Sequence, residues 1–327
     1  MFTHKDIANR TVFVINCIEH DKSLRVNNGE LYLQETQEEG KKVTLTKFPF
    51  QKVLALFVIG HITITTPLLE KCKKYNLALI VTKPNLRPVF YWADAAEGNY
   101  LLRQHQHAYS PNDLSIARCI VENKIGNQLM ALKKTRRKDE LTLDAMQQCN
   151  AALNSMADIT DYNALLGIEG VTARTYFAAY FQSLNWKGRK PRIKSDVVNV
   201  TLDIGYTILF NYMECFLRMF GFDLYIGVYH RVWFKRKSLV CDMIGPFRCL
   251  IDHTVLLAFN RKQFTPDDFE LVKHEYRLKR GKSSIYYQVF YKTLIDKKAD
   301  FFRYVQSYYR CFMGRKSVIQ YPKYEFS

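Results

Sequence analysis

No stretch of this chain is apolar over the roughly twenty residues that a membrane-spanning helix needs. The longest such run, Val53 to Gly60, has about eight residues, so nothing here is expected to cross a bilayer. The N-terminal apolar stretch Val12 to Ile18 carries Asn16 and ends in Glu19-His20-Asp21 without a small-residue cleavage site, which reads as no signal peptide. The eight cysteines form no C-x-x-C pair and most sit in apolar surroundings such as Val14-Ile15-Asn16-Cys17-Ile18. That usage fits reduced, buried thiols in a cytosolic protein better than a disulfide framework or a zinc site. There is no G-x-G-x-x-G, G-x-x-x-x-G-K-[ST], G-x-S-x-G or H-E-x-x-H. Dinucleotide redox, P-loop hydrolysis and the common hydrolase signatures therefore have no foothold.

Acids are scarce as well. The 31 Asp and Glu are outnumbered by 48 Lys and Arg, a net charge of +17, and a polyanion is the partner to expect. Charge alone does not choose between nucleic acid and anionic lipid, but it argues against an enzyme of small neutral metabolites. With 327 residues, 48% of them hydrophobic, the chain has material for about two domains.

Residues 1–95 read as β-rich, with runs such as Thr11 to Ile15, Leu24 to Val26, Glu30 to Leu33, Lys42 to Thr46 and Leu54 to Ile59 between turn signals. A short helix is predicted over Pro67 to Tyr75, capped by Thr66, followed by strands at Ala78 to Val81 and Val89 to Trp92. After a linker at 93–98 the texture becomes helical. Apolar residues from Leu114 to Leu132 recur at three-to-four spacing, with Asn112 or Asp113 as the cap. Further helices are predicted over 141–156, 169–184, 197–220, 238–259 (bent or started late by Pro246) and 286–312.

The charge excess follows this division. Residues 1–95 hold 13 Lys and Arg against 9 Asp and Glu, a balance of +4, which leaves +13 for residues 96–327. It comes in bursts at 133–138, 187–194, 235–237 and 277–282. One such burst is commonly a solvated surface; four in one domain suit a face that follows a phosphate backbone.

Acids and histidines set into apolar segments are the candidates for chemistry. Glu169, between Leu165-Leu166-Gly167-Ile168 and Gly170-Val171, falls at the expected start of a helix, where a carboxylate favoured by the helix dipole and a ligand are equally compatible with its position. Asp242 lies inside Leu239-Val240-Cys241-Asp242-Met243-Ile244, where a lone charge needs a partner such as Arg248 or a bound cation. His230 precedes an expected hairpin through Phe234 to Lys237. Two carboxylates and one imidazole make a mixed set suited to Mg²⁺ or Mn²⁺, with positions left for phosphate oxygens.

Leu166-Gly167-Ile168-Glu169-Gly170 with Ala173-Arg174 and Tyr176-Phe177, Gly227-Val228-Tyr229-His230, and Ser238-Leu239-Val240-Cys241-Asp242-Met243-Ile244-Gly245-Pro246-Phe247-Arg248 together resemble the CRISPR-associated integrase family, Cas protein one. Gly188-Arg189-Lys190-Pro191-Arg192, Asp196, Asn199 and Gly205-Tyr206, and the segment Ile64 to Leu69, extend the resemblance over essentially the whole chain. The wording is nearest to versions that accompany single-effector type V systems.

The resemblance implies an α+β protein: an N-terminal β-sandwich-like dimerisation domain (1–95) and a larger helical, catalytic and DNA-binding domain (96–327). It maps the catalytic metal ligands onto Glu169, His230 and Asp242, with Mg²⁺ or Mn²⁺ as cofactor. The implied reaction is CRISPR adaptation in a prokaryotic cytoplasm. The 3′-hydroxyl of a prespacer duplex attacks a phosphodiester at the end of a CRISPR repeat, a metal-dependent transesterification without a covalent enzyme intermediate. Lys187, Arg189, Lys190 and Arg192 are candidate phosphate contacts; Arg231 and Arg248 either position the scissile phosphate or balance the acids. Tyr225, Tyr229 and Trp233 serve either stacking on bases or packing. A homodimer or dimer of dimers, and the small Cas protein two, are the expected partners. One position departs from the family: where many members carry a second acid, three residues after Asp242, this chain has Gly245, with Glu214 or Asp252 as conceivable substitutes. Two other readings stay open, a metal-dependent nuclease of branched or single-stranded DNA and a DNA-binding scaffold with impaired catalysis.

Overall fold

The computed structural model describes residues 3–37, 40–93, 98–110, 112–136, 138–186 and 188–327. The chain divides into two compact units. One comprises Met1–Arg103, Glu214–Phe222 and Ile295–Val305; the other comprises Gln104–Met213, Asp223–Leu294 and Gln306–Ser327. An N-terminal sheet followed by a helix-rich region is the arrangement expected from the sequence. Most of the expected linker, residues 94–97, lies outside the described residues.

The first unit opens with a one-and-a-half-turn helix, α1 (His4–Asn9), closed by a capping box between Thr3 and Asp6. Its sheet then runs through β1 (Thr11–Asn27), β2 (Glu30–Thr36), β3 (Lys42–Pro49) and β4 (Val53–Thr63). After α2 (Thr66–Lys74) come β5 (Ala78–Thr82) and β6 (Pro88–Trp92), giving the order β3-β2-β1-β4-β5-β6. β1 pairs in parallel with β4, and β4 with β5. The apolar run in β4 is thus a central strand, and all eight of its residues from Val53 to Gly60 are buried. The two runs expected at 11–15 and 24–26 are one long strand.

That strand folds back on itself. Val26, Leu31 and Phe48 stand in register across β1, β2 and β3. Phe13 lies some 40 Å from Val26 along a straight strand, at ~3.3 Å per residue. Yet its ring stacks on Phe48 with centroids 4.2 Å apart and planes 3° from parallel. The bend falls between Cys17 and Lys22, where the ladder with β4 shifts register. Gly60 lies opposite, with φ at +106°; a Cβ there would meet the Cys17 carbonyl oxygen at 2.6 Å. The two halves of β1 thereby close a sandwich-like layer pair around one core that includes Ile15, Leu24, Leu31, Phe50, Val58 and Leu79.

Helices follow: α3 (Tyr100–Ala108), α4 (Ser115–Lys134), α5 (Glu140–Ser155), α6 (Tyr162–Tyr180), α7 (Val197–Phe220), α8 (Ser238–Ile244) and α9 (Arg248–Asn260). A two-stranded hairpin, β7 (Phe269–Val272) and β8 (Glu275–Leu278), precedes α10 (Ser283–Asp296) and α11 (Lys298–Met313). The hairpin is not legible in the apolar pattern, and Lys297 divides the single helix expected over 286–312. The helix α4 is buried on nearly every face, and its buried residues include the polar Asn123, Lys124, Asn127 and Gln128 as well as apolar ones. Its buried amides fasten the second unit together. Asn127 donates to the Pro246 carbonyl (2.9 Å) and accepts from the Phe326 N–H (3.0 Å), while Asn123 exchanges two bonds with the Tyr324 backbone (2.7 and 2.8 Å). All eight cysteines are free thiols, and seven of them are buried. No helix among the described residues is long and apolar enough to cross a membrane.

Candidate active site

The helix α6 begins at Tyr162, capped by Asp161, whose carboxylate accepts the Ala164 N–H at 2.8 Å. The helix therefore starts two turns before the expected position, Glu169 sits in mid-helix, and the reading of it as a first-turn carboxylate falls away. It is half-buried, and both of its oxygens are engaged. Oε2 accepts the Tyr229 hydroxyl at 2.6 Å, and Oε1 accepts the Lys124 ammonium, which projects from the buried face of α4. Burial pushes the Glu169 carboxyl up, but the Lys124 charge and hydrogen bond, the Tyr229 hydroxyl and the nearby Arg248 outweigh it and hold the group at about 2.

Asp242, on α8, is only 1% exposed and is enclosed by the loop 227–230. Its Oδ2 accepts the Val228 and Tyr229 N–H groups (2.7 and 3.1 Å); its Oδ1 accepts the His230 N–H (2.8 Å) and faces His230 Nδ1 at 2.6 Å. The loop closes this tightly because residue 227 is glycine: a Cβ there would meet Asp242 Oδ2 at 2.5 Å. A carboxylate only accepts, so Nδ1 of His230 carries the hydrogen and Nε2 is left open on a side chain 29% exposed. Asp242 thus holds the histidine in one tautomer and one orientation. Arg248 is not its partner. The expected hairpin after His230 is instead a turn at Phe234-Lys235 without strands.

The three candidate ligands thus form one neighbourhood, tied together by Tyr229: its backbone N–H lies on Asp242, its hydroxyl on Glu169, and His230 is the next residue. They do not form a ready metal centre. Both oxygens of each carboxylate are already in hydrogen bonds or an ion pair, and among the described residues no group of three His, Cys, Asp or Glu converges to hold an ion. Neither proposed substitute supplies the missing acid. Glu214 belongs to the first unit and pairs with Arg218 one turn on (2.9 Å). Asp252 is fully buried on α9, accepting from the hydroxyls of Tyr206 and Tyr176 (3.1 Å for the latter). Burial raises its carboxyl to about 6 against the opposing pull of the two hydroxyls, Arg248 and Arg189.

Beside Glu169 lies a cleft of about 610 Å³ lined by Lys124, Arg174, Trp186, Arg189, Arg248 and Asp252, among others. Arg248 stacks on Tyr206 at 5.3 Å, and its Nε is buried without a hydrogen-bond partner. Arg189 is committed elsewhere, to Asn199 (3.0 Å) and Asp203 (2.5 Å). Lys190, Arg192 and Arg231 are exposed, the last stacked on Tyr162 at 4.2 Å; Lys187 lies outside the described residues. Of the candidate stacking residues, Tyr229 is buried in the site, whereas Tyr225 and Trp233 are exposed. Lys124 is absent from the sequence-level candidates. The signal was available, since a lysine on the apolar face of α4 calls for a partner by the same argument that singles out Asp242.

The sequence profile of the family described as "CRISPR associated protein Cas1" matches residues 16–292. The chain belongs to the Cas1 family. This places it among the CRISPR-associated endonucleases and integrases, as the resemblance implied. Similar proteins include a "CRISPR-associated endonuclease Cas1 1" from Thermodesulfovibrio yellowstonii, 27% identical over 83% of this chain and 89% of that one. A protein of the same description from Chlorobaculum tepidum is 27% identical over 70% of this chain and 72% of that one. Among solved structures, a Cas1 protein from Thermotoga maritima superposes with a TM-score of 0.74 at 17% identity, covering 92% of this chain and 97% of that one. A casposase bound to integration product gives 0.72 at 18%, covering 96% and 94%. A chain of a partial Cas6-RT-Cas1–Cas2 complex gives 0.72 at 20%, covering 96% of this chain and 99% of that one.

Proposed function

We propose that this member of the family joins prespacer DNA to CRISPR repeat DNA. The observation that carries the proposal is the Asp242–His230 pair held beside Glu169, at the edge of a cleft lined by cationic side chains, in a chain of Cas1 sequence. In the reaction the 3′-oxygen of the prespacer forms a bond to the phosphorus at the 5′ end of the repeat while the bond from that phosphorus to the 3′-oxygen of the flanking nucleotide breaks, and the flanking strand leaves with a free 3′-hydroxyl. One phosphodiester replaces another, so no external energy source enters. Arg248 and Lys124, both lining the cleft, supply positive charge to the phosphate. His230 Nε2, with its ring held by the bond from Nδ1 to Asp242, takes the proton of the attacking hydroxyl, and the leaving 3′-oxygen takes a proton in its turn. In other chemistry of this kind Mg²⁺ or Mn²⁺ polarises the phosphate; the donor set here does not fit a three-ligand ion, and no step above depends on one.

Two strand transfers are needed to insert a spacer, one at each end of a repeat, so paired active sites are required. A homodimer through the sheet unit (residues 1–95), or two such dimers bridged by Cas2, meets that requirement, in keeping with the Cas2-containing complex among the similar structures. Helical residues 96–327, which carry +13 of the charge, serve as the DNA-binding and catalytic part, with Lys190, Arg192 and Arg231 as exposed phosphate contacts and Lys187 and Arg189 as weaker candidates.

A half-site assay tests the reading. A labelled duplex with a free 3′-hydroxyl is expected to become covalently joined to repeat DNA, and His230→Ala and Asp242→Ala to abolish joining while leaving salt-sensitive binding nearly intact. Cleavage without joining establishes the nuclease reading instead. A second reading, a DNA-binding scaffold with impaired catalysis, is favoured by Gly245 and by the engagement of Glu169 with Lys124; binding without joining or cleavage establishes it.

A further inference from the structure

The site has one carboxylate too few for a divalent ion and one ammonium in its place. Glu169 and Lys124 together are neutral, and Arg248 adds positive charge nearby. A hard divalent ion would have to displace the ammonium from Glu169 and would gain only that carboxylate, because the oxygens of Asp242 are already taken by three backbone N–H groups and the His230 ring. The shortfall traces to one position. Gly245 begins the short 3₁₀ turn between α8 and α9, buried against α4. A Cβ built there lies 3.9 Å from Lys124 Cδ and 3.8 Å from Ile120 Cγ2, which is ordinary contact. The place therefore accepts a Cβ without displacement, and that Cβ lies against the stem of Lys124. Asn127, one turn further along α4, pins the same turn through the Pro246 carbonyl at 2.9 Å, so this proximity is built in.

We infer that the ammonium of Lys124 is the resident cation of this site, and that the lack of a carboxylate at position 245 is what keeps a divalent ion out. The lysine meets Glu169 as a tethered point charge. In that role its ligand, beyond Glu169, is a phosphate oxygen of DNA. The inference concerns the same cluster as the proposed function, but its test uses no DNA, so its failure and the failure of the joining reading are separate results.

The full-length chain is titrated with Mn²⁺ and the free ion followed by electron paramagnetic resonance, for wild type, Gly245→Ala, Gly245→Asp, Lys124→Met and Gly245→Asp/Lys124→Met. Circular dichroism confirms that each is folded. Wild type and Gly245→Ala are expected to bind Mn²⁺ only weakly, Gly245→Asp to bind it about tenfold or more tightly than either through the added ligand charge, and the double variant more tightly still by removal of the competing ammonium. Stoichiometric Mn²⁺ binding by wild type that Glu169→Gln abolishes would overturn the inference. A folded Gly245→Asp chain with unchanged affinity would overturn the role given to position 245. If Gly245→Asp does not fold, Lys124→Met alone decides the role of the lysine: tighter Mn²⁺ binding than wild type supports it, and unchanged binding refutes it.

Discussion

Lys124 and Glu169 are each other's main electrostatic partner, and the geometry makes their loss asymmetric. Lys124→Met strands a half-buried carboxylate and is expected to lower the unfolding free energy by about 1–3 kcal/mol; Lys124→Met/Glu169→Gln recovers most of it, measured by urea unfolding of the four species in a double-mutant cycle. The two shifted carboxyls act on stability at different pH and with opposite sign. Glu169, lowered from 4.5 to about 2, contributes stability that is fully present above pH ~4.5 and is lost as the pH falls towards 2. Asp252, raised from 3.8 to about 6, binds its proton more tightly in the folded chain, so stability falls as the pH rises from about 4 to 6. Melting temperatures across pH 3–7 are expected to show a flatter decline over that upper interval in Asp252→Asn than in wild type; an unchanged slope refutes the assignment.

At the scale of elements, the loop after His230 is built as a rigid turn with apolar tips. The Arg231 carbonyl accepts from the Arg236 guanidinium and the Ser238 hydroxyl, and the Arg236 N–H returns to the Trp233 carbonyl at 3.0 Å. Trp233 and Phe234 project 72% and 81% exposed, with Lys235 over the Phe234 ring at 4.9 Å. Trp233→Ala/Phe234→Ala is expected to weaken binding of a single-stranded 3′ overhang by about tenfold or more, the loss of one or two stacked bases, without shifting the melting temperature; fluorescence anisotropy measures the first and calorimetry the second. Much at this scale is legible in the sequence. Three-to-four spacing predicts α4, α5 and α7, and the break between α8 and α9 falls at Pro246 as expected. The start of α6 is not, because Asn163, Gly167 and Gly170 dilute helix propensity and hide the cap at Asp161. The fold-back of β1 is not legible either: Ile18-Glu19-His20-Asp21 reads as a break between two strands, and only the stacking of Phe13 on Phe48, a contact between distant residues, shows one strand bending. The site divides the same way. Residue type and context identify Glu169, His230 and Asp242, but which atoms of each are already spent depends on Lys124 and on the loop 227–230, neither of which any local pattern couples to them.

For the whole molecule, a charge of +17 makes DNA binding strongly salt-dependent. If Lys190 and Arg192 both neutralise phosphates, Lys190→Ala/Arg192→Ala should make the slope of log affinity against log salt less steep by about 2, read from filter binding over a salt series; an unchanged slope removes them from the footprint. The cysteines described with the fold bear on how such questions are asked. Burial pushes the thiols of Cys17, Cys72 and Cys149 up to about 11 or 12, so at neutral pH they are almost entirely protonated and poor nucleophiles. Those three buried thiols are expected to react slowly with maleimides, which leaves the half-buried Cys241 as the native thiol to replace. A cysteine introduced beside the stacking residues rather than in place of one, Val232→Cys at a position 64% exposed, would carry a dye in a Cys241→Ser background and make the arrival of DNA beside His230 visible.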